Sequence, residues 1–386
     1  MSPARTLVVG AGLAGSRCAE TLRAEGYTGR IVVVGDEPHP PYERPALSKG
    51  LLAGTRTDLE LRPRSFWDER EIELRLGTRV LDLGLRGRTA ETSAGRIRWD
   101  ALVLATGARA RPLRSLPDRP DVHSLRTRAD ADRLRRRLAP GARLAVVGAG
   151  FVGTEVASTA TALGVQVTLL EAGPAPFERL LGREVGLVLA DRYRAHGVEV
   201  RVEAGVERVR TGLDGRPHVL QLSDGADIAC DIALVAVGSE PSGDLLGPAA
   251  VPTDALGRTN LPGVYACGDV AAWWRPSLDR HIRHEHWTSA AAQGATVARA
   301  LLGHGEPLDQ PGYFWSDQFG LRLQHIGGDE PWAEITLDGT PDAFTARYIN
   351  ADGRVVAALL ANRPQHAASL RREIAKVRTT PTSIAS

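Results

Sequence analysis

A glycine-rich segment that occurs twice constrains the fold more than any other feature of this chain. Residues 6–15 read TLVVGAGLAG, and residues 144–153, which lie 138 positions later, read LAVVGAGFVG. In each copy GxGxxG follows a short apolar run and precedes a helical stretch and a second apolar strand. An acid comes next, Asp36 or Glu171, 26 or 23 residues after the first glycine. This context predicts two dinucleotide-binding βαβ units.

The expected chemistry of the two turns depends on the small size of glycine. Glycine permits a tight turn, and it lets the backbone approach a pyrophosphate at the N-terminus of the following helix. The acid after the second strand accepts hydrogen bonds from an adenosine ribose. Two such units in one chain suggest two dinucleotides, and a bound flavin with a diffusible nicotinamide cofactor is the chemically sensible pair.

Three further apolar runs end in glycine and extend this pattern. They are ALVLATG at 101–107, IALVAVG at 232–238 and VYACGD at 264–269. Each is typical of a buried parallel strand that ends at a ligand-binding crevice. After Pro311 the pattern changes to shorter strands and a final helix, which we predict at 334–337, 344–349, 355–360 and 367–377.

The predicted fold class is therefore α/β, with two Rossmann-like dinucleotide-binding units and a C-terminal α+β unit. The second unit interrupts the first. We expect the FAD-binding unit at 1–112 and 241–312, the NAD-binding unit at 113–240, and the C-terminal interface unit at 313–386.

Charge and cysteine content exclude several classes of protein. The 386 residues include 48 basic and 46 acidic side chains, and this balance argues against a nucleic-acid partner. No apolar run approaches the ~18 residues of a membrane span, and we expect a cytoplasmic protein. Cys18, Cys230 and Cys267 are far apart, so the chain cannot hold a four-thiolate iron–sulfur cluster or a CxxC dithiol. We expect the three thiols to be buried and inert, and no metal site is predicted.

Longer motifs resemble those of a known enzyme family. They are the two glycine turns, DEPHPPYERPALSK at 36–49, LATG at 104–107, CGD at 267–269, EHW at 285–287 and FWSDQ at 314–318. Together they resemble the oxygenase-coupled, NADH-dependent ferredoxin reductases, which are glutathione-reductase-like flavoproteins without the redox dithiol. The resemblance covers essentially the whole chain, and PALSK and FWSDQ are far more specific than the glycine motifs.

The resemblance implies an FAD site in the first unit. Asp36 would hold the adenosine ribose of the flavin nucleotide, and Arg44 and Arg126 would add positive charge to it. Asp269 would accept a hydrogen bond from the ribityl chain, with a simple capping role as the alternative. The other residues expected at this nucleotide are Gly10, Gly12, Ala14, Gly15, Glu37, Val80, Thr106, Gly107 and Gly268.

The resemblance also implies a catalytic site where the nicotinamide meets the flavin. Lys49 would lie beside the flavin ring, where a fixed cation stabilises negative charge. Glu155 would pair with Lys49, and a first-turn helix charge favoured by the helix dipole is the alternative. Trp287 would cover an edge of the ring, and Trp315 would lie between the flavin and the electron acceptor. The other residues expected at the cofactors are Gly148, Gly150, Phe151, Val152, Gly153, Glu171, Gly238, Glu285 and His286.

Two features leave alternatives open. Residues 109–143 contain 11 arginines and four acids, a local excess of seven positive charges. This segment is either a solvated helix face or the source of a field that steers an acidic electron carrier. Trp273 and Trp274 are each either core residues or partner contacts.

The expected function is an FAD enzyme that takes a hydride from NADH and passes electrons to a separate iron–sulfur ferredoxin. That ferredoxin, which we expect to be acidic and to bind transiently, would supply a haem monooxygenase or a Rieske-type oxygenase. We expect a monomer or weak dimer with no nucleic-acid or membrane partner. Glu171 predicts NADH rather than NADPH, because a carboxylate repels the additional phosphate.

Three alternative functions remain at this point. One is an NADH oxidase or peroxidase, although the flavin-side cysteine of that group is missing between Asp36 and Gly54. The others are a rubredoxin- or quinone-reducing flavoenzyme and a redox-sensing flavoprotein that binds NADH.

Overall fold

Three five-stranded sheets form the framework of the protein. The structure is a computed structural model, and it describes residues 3–116, 122–211, 218–247 and 249–376. Two of the large sheets are parallel and the third is antiparallel. This mixed architecture confirms the predicted fold class.

The first parallel sheet combines strands from two distant parts of the chain. In spatial order these strands are Val264–Ala266, Ala101–Leu104, Arg5–Val9, Arg30–Val34 and Ile72–Arg75. Their valine, isoleucine and leucine side chains are almost all buried, as parallel strands covered on both faces require. The helix Leu13–Ala24 follows the central strand and packs against the helix Trp287–Leu302.

The second parallel sheet repeats this arrangement. In spatial order its strands are Glu199–Arg201, Gln166–Leu170, Arg143–Val147, Ile232–Val235 and Val122–His123. The helix Phe151–Ala162 follows the central strand here and crosses to the strand Gln166–Leu170. Both glycine turns therefore lie between a central strand and a helix.

The third sheet belongs to the C-terminal part of the chain. In spatial order its strands are Tyr313–Gln318, Leu321–Gly327, Val355–Ala361, Ala343–Ile349 and Glu334–Thr340. The helix Ala367–Lys376 covers one face through Leu370 and Ile374. Side chains such as Tyr348 on the other face share one buried cluster with Leu181 and Tyr193 of the second unit. The C-terminal sheet is thus packed firmly against the second unit.

Shorter elements complete the described part of the chain. The remaining α-helices are Gly50–Ala53, Arg64–Glu69, Arg128–Arg135, Glu178–Leu181 and Arg183–Ala195. The 3-10 turns are Arg44–Ala46, Gly268–Val270, Pro276–Leu278 and Pro364–His366. The remaining strands are Val80–Gly84, Thr89–Thr92, Gly95–Arg98, Ala108–Ala110, Val206–Thr211, His218–Leu222, Asp227–Cys230, Ser239–Pro241, Val251–Thr253, Ala271–Arg275 and Arg280–Ile282.

The C-terminal strands differ in detail from the sequence prediction. The strand expected at 334–337 continues to Thr340, because it pairs along its whole length with the strand Ala343–Ile349. The strands Tyr313–Gln318 and Leu321–Gly327 were not predicted, since their mixed aromatic and polar residues hide the alternation of buried positions. Val377, the expected end of the last helix, lies outside the described residues.

The chain returns to the first sheet at Val264–Ala266, after the whole second sheet has formed. The unit boundaries at 112, 240 and 312 stay predictions. Among the described residues, no helix is both long and apolar enough to cross a membrane.

Candidate functional site

A cavity of about 1390 Å³ opens between the two glycine turns. Each turn lies at the carboxyl ends of the strands of its own parallel sheet, where ligand-binding loops lie, and both turns line this cavity. The predicted residues that line it are Gly10, Gly12, Ala14, Asp36, Glu37, Arg44, Lys49, Thr106, Gly107, Arg126, Gly148, Gly150, Phe151, Val152, Glu155, Glu171, Gly238, Gly268, Asp269, Glu285, His286, Trp287 and Trp315. Gly15, Gly153 and Val80 are not part of this wall.

The first and last glycines of each motif are required by close backbone packing. Gly10 has a φ of +116°, and a Cβ there would lie 2.1 Å from the carbonyl oxygen of Ala105. Gly148 has a similar φ of +104°, and a Cβ there would also collide with a backbone carbonyl oxygen. A Cβ at Gly15 or Gly153 would lie 2.1 Å from the carbonyl oxygen of the first glycine of its own motif. These four positions fix the approach of each helix to its strand.

The middle glycines are different, because nothing lies within 4 Å of a Cβ built at Gly12 or Gly150. Each of them is the N-cap of the following helix, and neither cap has a side-chain hydrogen bond. The first backbone N–H groups of the two helices are therefore available to a ligand. Open space beside an uncapped helix N-terminus fits a pyrophosphate, and the chain offers two such cradles.

The acids after the second strand of the first unit have different environments. The Asp36 side chain is 63% exposed and lies 3.7 Å from Arg79, so its oxygens can accept from a ribose. Glu37 instead accepts hydrogen bonds from Tyr42 and Arg44, both at 2.7 Å. The charge of Arg44 is therefore balanced by Glu37 at the cavity wall.

Arg126 and Asp269, both expected at the flavin nucleotide, contact each other. The guanidinium of Arg126 donates to the Asp269 carboxylate at 2.8 Å. Asp269 lies in the 3-10 turn that follows Val264–Ala266, so this ion pair links residues far apart in the sequence. Thr106, on the same wall, donates to the carbonyl oxygen of Ser242 at 2.6 Å.

Lys49 and Glu155 form a close charged contact at the site. Lys49 Nζ lies 2.6 Å from Glu155 Oε2, and Ser48 donates to the same oxygen at 2.5 Å. Glu155 Oε1 accepts from Ser316 at 2.6 Å. Glu155 is 7% exposed, and the first turn of its helix Phe151–Ala162 contains no acid. The alternative of a first-turn helix charge is therefore wrong.

Aromatic side chains form the wall near Glu155. The Phe151 ring lies 4.7 Å from that of Phe177 and 4.6 Å from that of Phe314. His286 stacks on Phe314 at 4.4 Å, and burial, with His284 nearby, lowers the pKa of His286 to about 4. This side of the cavity is thus apolar and carries a neutral imidazole at neutral pH.

The two tryptophans expected near the flavin are both partly exposed. Trp287 begins the helix Trp287–Leu302, and Trp315 lies on the strand Tyr313–Gln318. Glu285, two residues before Trp287, is exposed and pairs with Arg283. Of the two open cases, Trp273 is buried and donates to the carbonyl oxygen of Leu308, so it is a core residue. Trp274 is partly exposed against His281.

Acids from later in the chain neutralise part of the arginine-rich segment 109–143. The pairs are Arg109 with Asp244, Arg111 with Glu240, Arg126 with Asp269, and Arg143 with Asp231. The local excess of positive charge counted in the sequence is therefore smaller in the folded protein. Residues 117–121 of this segment lie outside the described residues.

The three cysteines are buried and form no disulfide. Burial raises the pKa of Cys18 well above its usual range and that of Cys267 to about 12. A thiol held protonated in this way is a poor nucleophile and a poor metal ligand. In the described part of the chain, no group of three or more His, Cys, Asp or Glu side chains could hold a metal ion.

Sequence reasoning missed several residues at or behind the cavity wall. Ser48 and Ser316 lie inside the PALSK and FWSDQ motifs, but nothing local shows that they meet Glu155, 107 and 161 positions away. Arg179 also lines the cavity. It lies eight positions after Glu171, so the residues next to Glu171 in the sequence do not indicate it.

Comparison with known families identifies the family of this chain. Residues 4–294 match the family described as pyridine nucleotide-disulphide oxidoreductase. This chain belongs to that family. Residues 313–385 match the family described as reductase C-terminal, which confirms the resemblance carried by the FWSDQ segment. The two nucleotide sites of such a reductase bind FAD and NAD(H).

Several characterised members are similar over most of their length. The ferredoxin–NAD(+) reductase subunit of the benzene 1,2-dioxygenase system of Pseudomonas putida is 37% identical, covering 93% of this chain and 89% of its own. The corresponding component of the biphenyl dioxygenase system of Paraburkholderia xenovorans is 38% identical, covering 86% and 83%. The solved covalent putidaredoxin reductase–putidaredoxin complex is 29% identical, covers 100% and 97%, and has a TM-score of 0.92.

Proposed function

We propose that this oxidoreductase is an FAD-dependent NADH:ferredoxin reductase of an oxygenase system. The observation that carries the proposal is one cavity that joins two dinucleotide cradles and holds the Lys49–Glu155 pair on its wall. The similar proteins from the benzene and biphenyl dioxygenase systems, which are named ferredoxin–NAD(+) reductases, support the same acceptor.

The two cradles accept different nucleotides. The first, at Gly12, receives FAD, whose ribose hydroxyls bind Asp36. The second, at Gly150, receives NADH, whose ribose hydroxyls bind Glu171. A bound flavin accepts the electron pair of a hydride and releases the electrons singly, which suits a one-electron iron–sulfur acceptor.

Lys49 and Glu155 prepare the charge of the site. The ammonium group of Lys49 is already in place before negative charge develops beside it. It therefore stabilises that charge with little reorganisation of the site. Glu155 holds this ammonium at 2.6 Å, and Ser48 shares the same carboxylate oxygen. The apolar wall of Phe151, Phe177 and Phe314 keeps water away from this side of the cavity.

The electrons leave this protein across its surface. The three thiols are buried and form no dithiol, so the described chain offers no internal relay. Trp287 and Trp315 line the cavity and are partly exposed, and they mark the exit towards a ferredoxin. The complex is transient, and the ferredoxin is acidic and supplies an oxygenase of the Rieske or haem type.

The remaining parts of the proposal are location and oligomeric state. The three cysteines are buried and form no disulfide, which fits a reducing compartment, and we place the protein in the cytoplasm. It acts as a monomer or weak dimer, without nucleic acid or membrane.

The test is NADH-driven reduction of a panel of ferredoxins by the purified, FAD-loaded protein. We expect rapid turnover with at least one 2Fe–2S ferredoxin. Rapid transfer to oxygen or a small quinone, with no ferredoxin reduced, would contradict the proposal. Slow reoxidation with a long-lived charge-transfer band would instead indicate a redox-sensing protein.

A further inference from the structure

The carboxylate of Glu155 is held by a chain of buried polar groups that begins in another part of the fold. Ser316, on the strand Tyr313–Gln318, donates to Glu155 Oε1 at 2.6 Å. Gln318, two residues further along the same face of that strand, donates from Nε2 to Ser316 Oγ at 3.1 Å. Tyr193, on the helix Arg183–Ala195, donates to Gln318 Oε1 at 2.6 Å. Ser316, Gln318 and Tyr193 are all buried.

The direction of every hydrogen bond in this chain follows from the chemistry of its two ends. An ionised carboxylate only accepts, so the single hydrogen of Ser316 points to Glu155. The Ser316 oxygen must then accept from the amide nitrogen of Gln318, which turns the amide oxygen towards Tyr193. Burial raises the pKa of Tyr193, so its phenol stays protonated and donates.

Ser48, Ser316 and Lys49 each direct a hydrogen at the Glu155 carboxylate. These polar contacts fix where the negative charge of Glu155 lies. Hydrogen bonds to a charged group are stronger than those between neutral groups.

We propose that Ser316 and Gln318 are positioning residues for the Lys49–Glu155 pair. The C-terminal sheet thereby takes part in the reaction with NADH, in addition to any contact with the electron acceptor. This inference rests on the proposed function, because it assigns a role within the step in which NADH delivers its hydride. Its physical basis is that three parts of the fold meet at Glu155: the PALSK segment, the second unit and the C-terminal sheet.

The test separates the NADH step from the ferredoxin step in FAD-loaded protein. Flavin reduction by NADH, without ferredoxin, is followed in a stopped-flow instrument for wild type, Ser316→Ala and Gln318→Met. We expect about tenfold slower reduction in Ser316→Ala, which loses one hydrogen bond to a charged group. Gln318→Met should slow reduction less, because it removes only the donor that orients Ser316. The NADH concentration for half-maximal rate should change less than the limiting rate, because neither residue touches the nucleotide cradle.

Rescue by a conservative variant gives a readout that a general loss of packing would not. Ser316→Ala removes the hydroxyl that donates to Glu155 Oε1, whereas Ser316→Thr keeps a hydroxyl at the same position. We therefore expect Ser316→Thr to restore the rate of flavin reduction by NADH.

Thr345→Val is the matched control. Thr345 is buried in the same sheet, and its hydroxyl bonds to His366 and not to the chain that reaches Glu155. Wild-type rates in this control, together with normal oxidation of reduced Ser316→Ala by ferredoxin, would support the inference. Wild-type reduction by NADH in both Ser316→Ala and Gln318→Met would overturn it, as would equal slowing in Thr345→Val. A wild-type protein that NADH reduces but that transfers to no ferredoxin would overturn the proposed function alone.

Discussion

Glu171 Oε2 accepts a hydrogen bond of 2.9 Å from the backbone nitrogen of Ala149. The acid at the end of the second strand is thus tied to the glycine turn of its own unit. Its other oxygen accepts from the nitrogen of Gly173, also at 2.9 Å. The carboxylate is therefore held in one position, where it can accept from ribose hydroxyls and repel a phosphate.

We expect NADH to be preferred over NADPH by about thirtyfold or more, which is a difference of about 2 kcal/mol. The measurement is kcat/KM for the two cofactors with one acceptor. Glu171→Ala should reduce the preference for NADH over NADPH. Arg179, which also lines the cavity, would then meet the additional phosphate of NADPH without a competing carboxylate. Adding Arg179→Ala to Glu171→Ala should remove the increase in kcat/KM for NADPH. Equal kcat/KM values in the wild-type protein would contradict this prediction.

The Lys49–Glu155 pair predicts different effects of two substitutions. Lys49→Met should retain FAD but slow its reduction, because remote contacts hold the nucleotide while the ammonium acts at the ring. Glu155→Gln should slow the nicotinamide step more than it weakens flavin retention. Rapid-mixing spectroscopy measures both, and the FAD content of the purified proteins measures retention. Arg56→Met, which removes an exposed pair with Glu43, is the control. If NADH reduces both Lys49→Met and Glu155→Gln at the wild-type rate, the pair has a purely structural role.

The glycines of the first turn predict two distinct defects. Gly10→Ala should destabilise the fold, because the φ of +116° alone costs about 1–3 kcal/mol and the Cβ would meet a backbone oxygen. Gly12→Ala should leave the thermal midpoint of the apoprotein unchanged, since its Cβ meets nothing within 4 Å. It should nevertheless lower FAD affinity by at least about tenfold, because the methyl group occupies the pyrophosphate cradle. Identical behaviour of the two variants would show that the cradle is placed wrongly.

His325, which is buried, and His286, which is half-buried at the cavity, predict how stability depends on pH. Burial, then His284, lowers the pKa of His286 to about 4, and burial, then His286, lowers that of His325 to about 3, while Asp329 opposes both shifts. The unfolded chain, with an imidazole pKa of about 6.5, therefore binds more protons than the folded protein below pH ~6.5. Stability should be full above that pH and fall as the pH decreases towards 4.

Each histidine contributes a slope of up to about 1.4 kcal/mol per pH unit in that window. His325→Leu should flatten the acid side of the curve, measured by urea unfolding at a series of pH values. Neither ring nitrogen of His325 has a hydrogen-bond partner within the described structure, so the substitution removes no such bond. An unaltered acid limb in His325→Leu would contradict the assignment.

The proposed ferredoxin acceptor predicts that the turnover rate depends on the salt concentration. Turnover with ferredoxin should decrease as salt rises, because exposed charges are screened beyond a Debye length of about 10 Å at 0.1 M salt. Direct reduction of the flavin by NADH should change little over the same range. Steady-state and stopped-flow rates at several ionic strengths test this, and ferredoxin turnover that is independent of salt would contradict charge steering. Since acids neutralise four arginines of segment 109–143, we expect their substitution to alter the salt effect only weakly.

The two dinucleotide units could be predicted from sequence because their signals are local. A run of valines before GxGxxG, the helix after it and the acid beyond the next strand all lie within about 30 residues, the length of one βαβ unit. The structure places both turns as expected, with the first glycine of each at positive φ and the middle glycine open. The fold class, the two cofactors and the family all follow from this pattern and from the longer motifs.

What only the tertiary structure decided are the contacts between distant segments. The sequence contains Lys49 and Glu155, but no spacing rule shows that Ser48 and Ser316 complete the surroundings of the same carboxylate. The chain from Ser316 through Gln318 to Tyr193 exists because the C-terminal sheet shares a core with the second unit. Periodicity reports which face of an element is buried, but the partner across the core depends on how whole elements pack. For that reason the sequence alone determined the two nucleotide-binding turns, and the folded protein alone determined the polar network around Glu155.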